Sequence, residues 1–332
     1  MTNSDFASAA MVRVLREGLR ALGLDVDMDA APAMGRGRVP LDAKRAIVEG
    51  AVRARGLGVL PLLGRGLHGL AHDPTHRSLA AARDAGDLFA RWRRLERYFH
   101  SRHRVDVVLL THEQARLRHR SLDSRAPPLA AEDLVVMGVL AALLETIGSQ
   151  AVRAWVDGVP AYPRPDATGL LERANQGKTA EWTLSWECVA DAPTRSSVAP
   201  TAVAGSGPPA DVFVSSLWSP TARRVAATMA GDLARARTVA DLARAIGMAP
   251  RSLQRSLASA GLTCSSLLME LRMRAAAWWL LNTPVAIAEI GFVCGFADQP
   301  HFTRCFGDRV GLTPAKYRDA FSAGSSGSPT IR

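Results

Sequence analysis

The chain has 332 residues, 48% hydrophobic and 22% charged, which is enough apolar side chain for two packed domains and excludes a broadly disordered polymer. The formal net charge is +10, and it is uneven: from Ser215 onward there are 14 basic and 7 acidic residues, against 27 and 24 before it. Such an excess in the last third suits a surface that neutralises phosphates, while the four scattered cysteines (Cys188, Cys264, Cys294, Cys305), with no CxxC pair, exclude a disulfide framework and a zinc ribbon.

The opening MTNSDFASAAMVRVL has no basic stretch before an apolar run, so no signal peptide is expected. The apolar stretch Leu134–Ile147 is too short to span a bilayer and contains Glu145. A cytoplasmic protein with no membrane partner is expected. Helical periodicity runs through Phe6–Leu22, Leu41–Arg55, Asp87–Phe99 and Leu129–Ile147. Val105–Leu110 reads as a short buried strand. Ala115 and Leu117 alternate with Gln114, Arg116 and Arg118 as a second strand, and Trp182, Leu184, Trp186 and Cys188 alternate with polar residues as a half-buried strand. Trp182 and Trp186 share a face, as core residues or as the floor of a pocket.

His68, His72 and His76 are spaced four apart, the spacing of one helix face and of a metal or haem site. Pro74 interrupts that spacing and Asp73 would point off the face. Solvated or hydrogen-bonded histidines are therefore expected, and neither metal nor cofactor.

Asp191–Pro209 is rich in Pro, Ser, Gly and Ala and has no apolar period, the composition of a linker. The tail from Ser322 reads as disordered for the same reason. Between them everything reads as helix. Pro220 opens a helix through about Ala236, and a long helix runs from about Ser265 to Leu281.

Two segments of this last part resemble each other. Val239–Leu242 matches Ile287–Ile290 at an offset of 48, as Gly247 matches Gly295; Leu253, Arg255 and Leu257 then match Phe302, Arg304 and Phe306 at an offset of 49. Each copy reads as a helix, a glycine turn and a second helix. In the second helices Leu253 and Leu257, or Phe302 and Phe306, form the inner face. Arg251, Ser252, Gln254 and Arg255, and in the second copy Gln299, His301, Thr303 and Arg304, are left for the outer face. A DNA-reading helix needs this division: one buried stripe, and polar side chains that meet base edges, Arg on guanine and Gln on adenine. The 17 residues from Ser265 to Leu281 would span about 25 Å, against roughly 34 Å between successive major-groove faces. Leu267, Leu271 and Ala275 give that connector an apolar stripe, with Trp278 and Trp279 anchoring its end. Cys294 and Cys305 fall in the second copy, where apolar neighbours favour inert thiols over a thiol switch.

The stretch IAEIGFVCGFADQPHFTRCFGDRVGLTPAKYR, Ile287–Arg318, resembles the second helix-turn-helix signature of the AraC/XylS family of transcription regulators, and LARAIGMAPRSLQRSL resembles the first. The resemblance covers about Ser219 to Tyr317. It implies base or groove-edge contacts from the outer-face residues above. The chain departs from the usual pattern at Ala249, where a Ser or Thr cap is common, at Ala297, where Ser is common, and at Pro300, in an early turn of the second recognition helix. RWRRLERYFHSRHR (Arg91–Arg104) and the helix at Leu129–Ile147 resemble the arabinose-binding-like effector domain of one subgroup. That implies a small-molecule effector of unknown identity, a homodimer, and RNA polymerase and double-stranded promoter DNA as partners, with activation as the family's commoner mode.

The expected organisation is residues 1–190 as an α+β effector-binding and dimerisation domain, 191–214 as a flexible linker, 215–320 as an all-α DNA-binding domain with two helix-turn-helix units, and 321–332 as a disordered tail. The alternative is a DNA-modifying or repair enzyme carrying such a module. No Walker loop, GxSxG elbow or HExxH supports catalysis, and Cys188, the one cysteine outside the C-terminal domain, has no nearby His in sequence.

Overall fold

A computed structural model describes residues 6–24, 38–70, 73–99, 103–187, 207–215 and 218–321. The chain divides into two compact units, Met1–Arg195 and Ser196–Arg332.

The first unit is mixed. β1 (Phe6–Ser8) pairs antiparallel with β2 (Arg38–Pro40) and leads into α1 (Ala9–Ala21). The expected helix from Phe6 therefore starts three residues late, because that stretch is taken up by strand pairing. α2 (Leu41–Arg55) is followed by a 3-10 segment, Leu57–Gly69, then α3 (Pro74–Ala80) and α4 (Ala85–Phe99). β3 (His103–Leu110), β4 (Gln114–Ser121), α5 (Ala130–Thr146), β5 (Gln150–Val156), β6 (Val159–Tyr162), α6 (Ala167–Asn175) and β7 (Glu181–Glu187) complete it. The sheet runs β3-β4-β7-β5-β6, with every pairing antiparallel.

Alternation explains the inner face of the sheet. Ala115 and Leu117 of β4 lie opposite Leu184 and Trp182 of β7, and Ala154 and Val156 of β5 meet the same two residues from the other side. All six are buried, as is Trp186, so Trp182 and Trp186 are core residues. Cys188 lies outside the described residues. β3 corrects the expectation of a buried strand. Among the described residues it is an edge strand joined only to β4, and a register shift between Val107 and Leu109 breaks its alternation. Val105 faces the core while Val108, Leu109 and Leu110 are exposed.

α5 is apolar all round, and every residue from Leu134 to Leu144 is buried, as such a helix requires. It packs on the sheet and on the 3-10 segment. A β-carbon at Gly64 or Gly138 would run into backbone there, of α5 and of Pro61 respectively, so the close approach depends on glycine at both positions. His68 lies in the last turn of the 3-10 segment and His76 sits in α3; they are on different elements, and His72 lies outside the described residues.

The second unit is helical. Its elements are α7 (Pro220–Ala230), α8 (Val239–Ala245), α9 (Pro250–Ala258), α10 (Cys264–Asn282), α11 (Ile287–Val293), α12 (Gln299–Val310) and α13 (Pro314–Phe321). α7 stops well before Ala236. Asp232 Oδ1 accepts from the Ala234 N–H at 3.1 Å, and Arg237 donates to the Asp232 carbonyl at 2.8 Å, which folds the chain into a turn. The end of the expected linker is also structured. Ala210–Phe213 is a 3-10 turn, Phe213 packs on the helical core, and Arg274 of α10 donates to the Val214 carbonyl at 3.1 Å. Residues 191–206 and the tail from 322 lie outside the described residues. Among those described, no helix is long and apolar enough to cross a membrane.

Candidate nucleic-acid interface

Two helix pairs, α8 with α9 and α11 with α12, flank α10. Thr238 caps α8: its Oγ1 accepts from the Asp241 N–H at 3.1 Å, and Asp241 Oδ2 accepts from the Thr238 N–H at 3.0 Å. The Thr238 N–H, together with the Thr238 hydroxyl, which also donates to Oδ2 at 2.8 Å, holds the Asp241 carboxyl below its ordinary range. Gly247, at φ +67°, turns the chain toward α9. Ala249 supplies no side-chain cap, and Pro250 takes the first helical position, where its missing N–H costs nothing.

Leu253 and Leu257 of α9 are buried, which fixes the rotation of the helix. Arg251, Gln254 and Arg255 are then exposed and Ser252 is half-buried. The side chains of Arg251, Gln254 and Arg255 make no hydrogen bond or ion pair with any described residue.

In the second pair Gly295, at φ +84°, makes the turn. α12 is capped by Asp298. Asp298 Oδ1 accepts from the His301 N–H at 2.7 Å, with Pro300 tolerated in the first turn. The spacing of Asp298 three residues before His301 was the available signal. Phe302 and Phe306 are buried and Phe302 stacks on Phe296 at 4.9 Å between centroids. Arg304 is exposed and without an intramolecular partner among described residues; Gln299, His301 and Thr303 are half-buried. His301 is partly engaged: its Nδ1 accepts from the Ala297 N–H at 3.3 Å and its ring lies edge-on to Phe296. With Nδ1 accepting, the ring's N–H is at Nε2.

α10 joins the pairs. It has 19 residues, about 28 Å at 1.5 Å per residue, with Leu267, Leu271 and Ala275 buried and Trp278 edge-on to Trp279. Its polar residues tie down what lies beside it, and sequence periodicity did not single them out. Arg272 reaches the Leu233 carbonyl, and Glu270 accepts from Arg274 at 2.9 Å and from Arg309 of α12 at 3.0 Å. Arg318 of α13 donates to the Leu280 and Val285 carbonyls at 3.2 and 2.6 Å. Cys294 is buried and Cys305 half-buried.

Residues 242–320 match the profile of a helix-turn-helix domain family. The transcriptional activator NphR of a Rhodococcus species is 35% identical over 81 residues, which are 24% of this chain and 24% of that protein. The ornithine utilization regulator of Pseudomonas aeruginosa is 37% identical over 78 residues, 24% of this chain and 23% of that one. The chain thus spans about a quarter of the length of these curated relatives. A solved transcriptional regulator from Chromobacterium violaceum, described as containing an AraC-type DNA-binding domain, is 27% identical, covers 32% of this chain and 96% of its own, and gives a TM-score of 0.30. Residues 242–320 thus form a domain of the helix-turn-helix type, and the chain is similar over about a quarter of its length to named transcription regulators.

Proposed function

We propose that the chain is a sequence-specific, DNA-binding transcription regulator, most simply an activator, whose N-terminal unit responds to a small molecule. α9 and α12 carry this reading. Each buries one apolar stripe and leaves Arg, Gln or Thr side chains outward, with Arg251, Gln254, Arg255 and Arg304 unspent on intramolecular bonds. Both pairs act as helix-turn-helix units, and α9 and α12 enter successive major grooves. Arg251, Ser252, Gln254 and Arg255 read one half of the site, and Gln299, His301, Thr303 and Arg304 the other.

The remaining assignments follow the family. The first unit holds the effector and pairs with a second copy, and RNA polymerase is the downstream partner at a promoter. An effector acts only through different affinities for the states of the chain that bind DNA well and poorly.

The test is genome-wide DNA capture with the purified full chain at near-physiological salt, followed by footprinting of the best site. Two protected blocks about one helical turn apart, upstream of a gene, are the expected result. Weak binding that ignores sequence would refute it.

A further inference from the structure

The segment that leads into the helical unit is docked on it, and its contacts run on to α12. Ala210–Phe213 forms a 3-10 turn that lies against α7 and α10. Phe213 and, further on, Trp218 pack on the helical core, both only partly buried. No residue of the turn is fully buried. A turn held by so little apolar surface can lift without unfolding the helices beneath it. It is also the first described element after residues 191–206, through which the chain arrives from the first unit. A pull transmitted along the backbone therefore reaches this turn before it reaches any helix.

Arg274 of α10 holds the segment down, and its guanidinium is fixed on three sides. Nη1 donates to the Val214 carbonyl at 3.1 Å. The group lies over the Trp218 ring, 4.9 Å from its centroid. Nε donates to Glu270 Oε1 at 2.9 Å. The other carboxylate oxygen, Oε2, accepts from Arg309 Nη2 at 3.0 Å, and Arg309 stands in the last turn of α12. Each member thus holds the next through a different atom, and one relay runs from Val214 through Arg274 and Glu270 to Arg309. An arginine fork suits the junction, because it serves a carbonyl and a carboxylate at once in fixed directions. If the Val214 carbonyl and the Trp218 face leave, Arg274 loses two of its three restraints, and Glu270 no longer has a fixed partner from which to hold Arg309.

We propose that Ala210–Val214 is a strap that sets the second helix pair. Docked, it fixes the C-terminal turn of α12 through Arg274, Glu270 and Arg309. Lifted, it leaves that turn loose, and α12 grips its half-site less tightly, while α9, which carries no member of the relay, is unaffected. Glu270 and Arg309 are 30% and 46% exposed, so solvent screens the last link and the effect is graded, a few-fold in size. The consequence for DNA rests on the reading of α12 as a DNA-contacting helix; the strap and its relay do not.

Amide hydrogen exchange of the full chain, free of DNA, reads the strap. Phe213→Ala should speed exchange in the last turn of α12 by about two- to fivefold and leave α9 unchanged. Arg274→Gln cuts the relay while keeping the apolar contacts of the strap and should do the same, so the result survives if one variant folds poorly. The decisive comparison is made in an Arg309→Ala background, where the relay is already cut. There Phe213→Ala should change α12 no further. Unchanged exchange of α12 in both variants, an equal rise in α9, or additive effects of Phe213→Ala and Arg309→Ala overturns the strap. Footprint titration of the operator reads the consequence. Protection of the α12 block should need about two- to fivefold more of the Phe213→Ala chain than of the parent, and an unshifted block overturns the coupling to DNA. A parent chain that footprints no operator sinks the regulator reading alone, and the exchange experiment still decides the strap.

Discussion

Arg272 donates from Nε at 3.1 Å and from Nη2 at 2.8 Å to the carbonyl oxygen of Leu233. That oxygen is also the first atom a β-carbon at Gly295 would strike. One backbone carbonyl between α7 and α8 thus receives the middle of α10 and is overhung by the turn that follows α11. The two helix pairs are registered against each other through it.

The two turn glycines should therefore differ. At Gly247 (φ +67°) nothing lies within 4 Å of an added β-carbon, so Gly247→Ala costs only backbone strain, about 1–2 kcal/mol. Gly295→Ala adds a collision with backbone and should cost about 2–4 kcal/mol. Urea unfolding of the full-length variants measures both, and equal costs would show that the Leu233 contact carries no energy.

Arg255→Ala and Arg304→Ala should leave stability within about 0.5 kcal/mol of the parent, since neither side chain bonds to the fold. Each should weaken the footprinted operator by about 1–3 kcal/mol, and random DNA by much less. Filter binding on both DNAs decides. A uniform loss on every sequence would assign these residues to phosphates instead of bases.

Glu96 sets an expectation for pH. Its Oε1 accepts from Trp92 Nε1 at 2.8 Å and from the Val105 N–H at 2.9 Å, while Oε2 is buried and unpartnered among described residues. Burial, only partly opposed by these donors, pushes the carboxyl from 4.5 up to about 7. The folded chain holds a proton that the unfolded chain releases, so stability should fall as pH rises from about 4.5 to 7, by on the order of 3 kcal/mol at most. Glu96→Gln should flatten that slope in urea titrations at pH 5 to 8. An unchanged slope would exclude Glu96 as its source.

Glu270 should behave in the opposite sense. Burial raises its carboxyl, but the bonds from Arg274 and Arg309 outweigh burial and hold it below 4.5. This contribution is present above the unfolded value of 4.5 and lost as pH falls through the lower folded one. The side chain is 30% exposed, so the effect is small, below about 1 kcal/mol. Glu270→Gln should remove it from acid unfolding curves of the full chain while leaving those above pH 6 unchanged in slope.

Much of the helical unit was legible because its signals are local. The spacing of Leu253 and Leu257, and of Phe302 and Phe306, sets the buried stripe and so the outer face. Thr238 and Asp241 announce a cap three residues apart. What periodicity missed depends on neighbours distant in sequence. Val105–Leu110 is as apolar as a central strand, but only the sheet order makes it an edge. The 3-10 segment Leu57–Gly69 has no helical period; it fits because glycines at 64 and 138 let it lie against α5. β6 and α6 are short, whereas β5 alternates Val152, Ala154 and Val156 as plainly as β7 does and was open to the same reading. Arg272 looks like any surface arginine until Leu233 is placed beside it.

α10 contains neither glycine nor proline in its 19 residues, so it has no joint. Under the proposed reading, the spacing between the two reading helices is set by a rigid rod, so the distance between the two half-sites has to match the protein: inserting or deleting base pairs between them would abolish binding even with both half-sites intact.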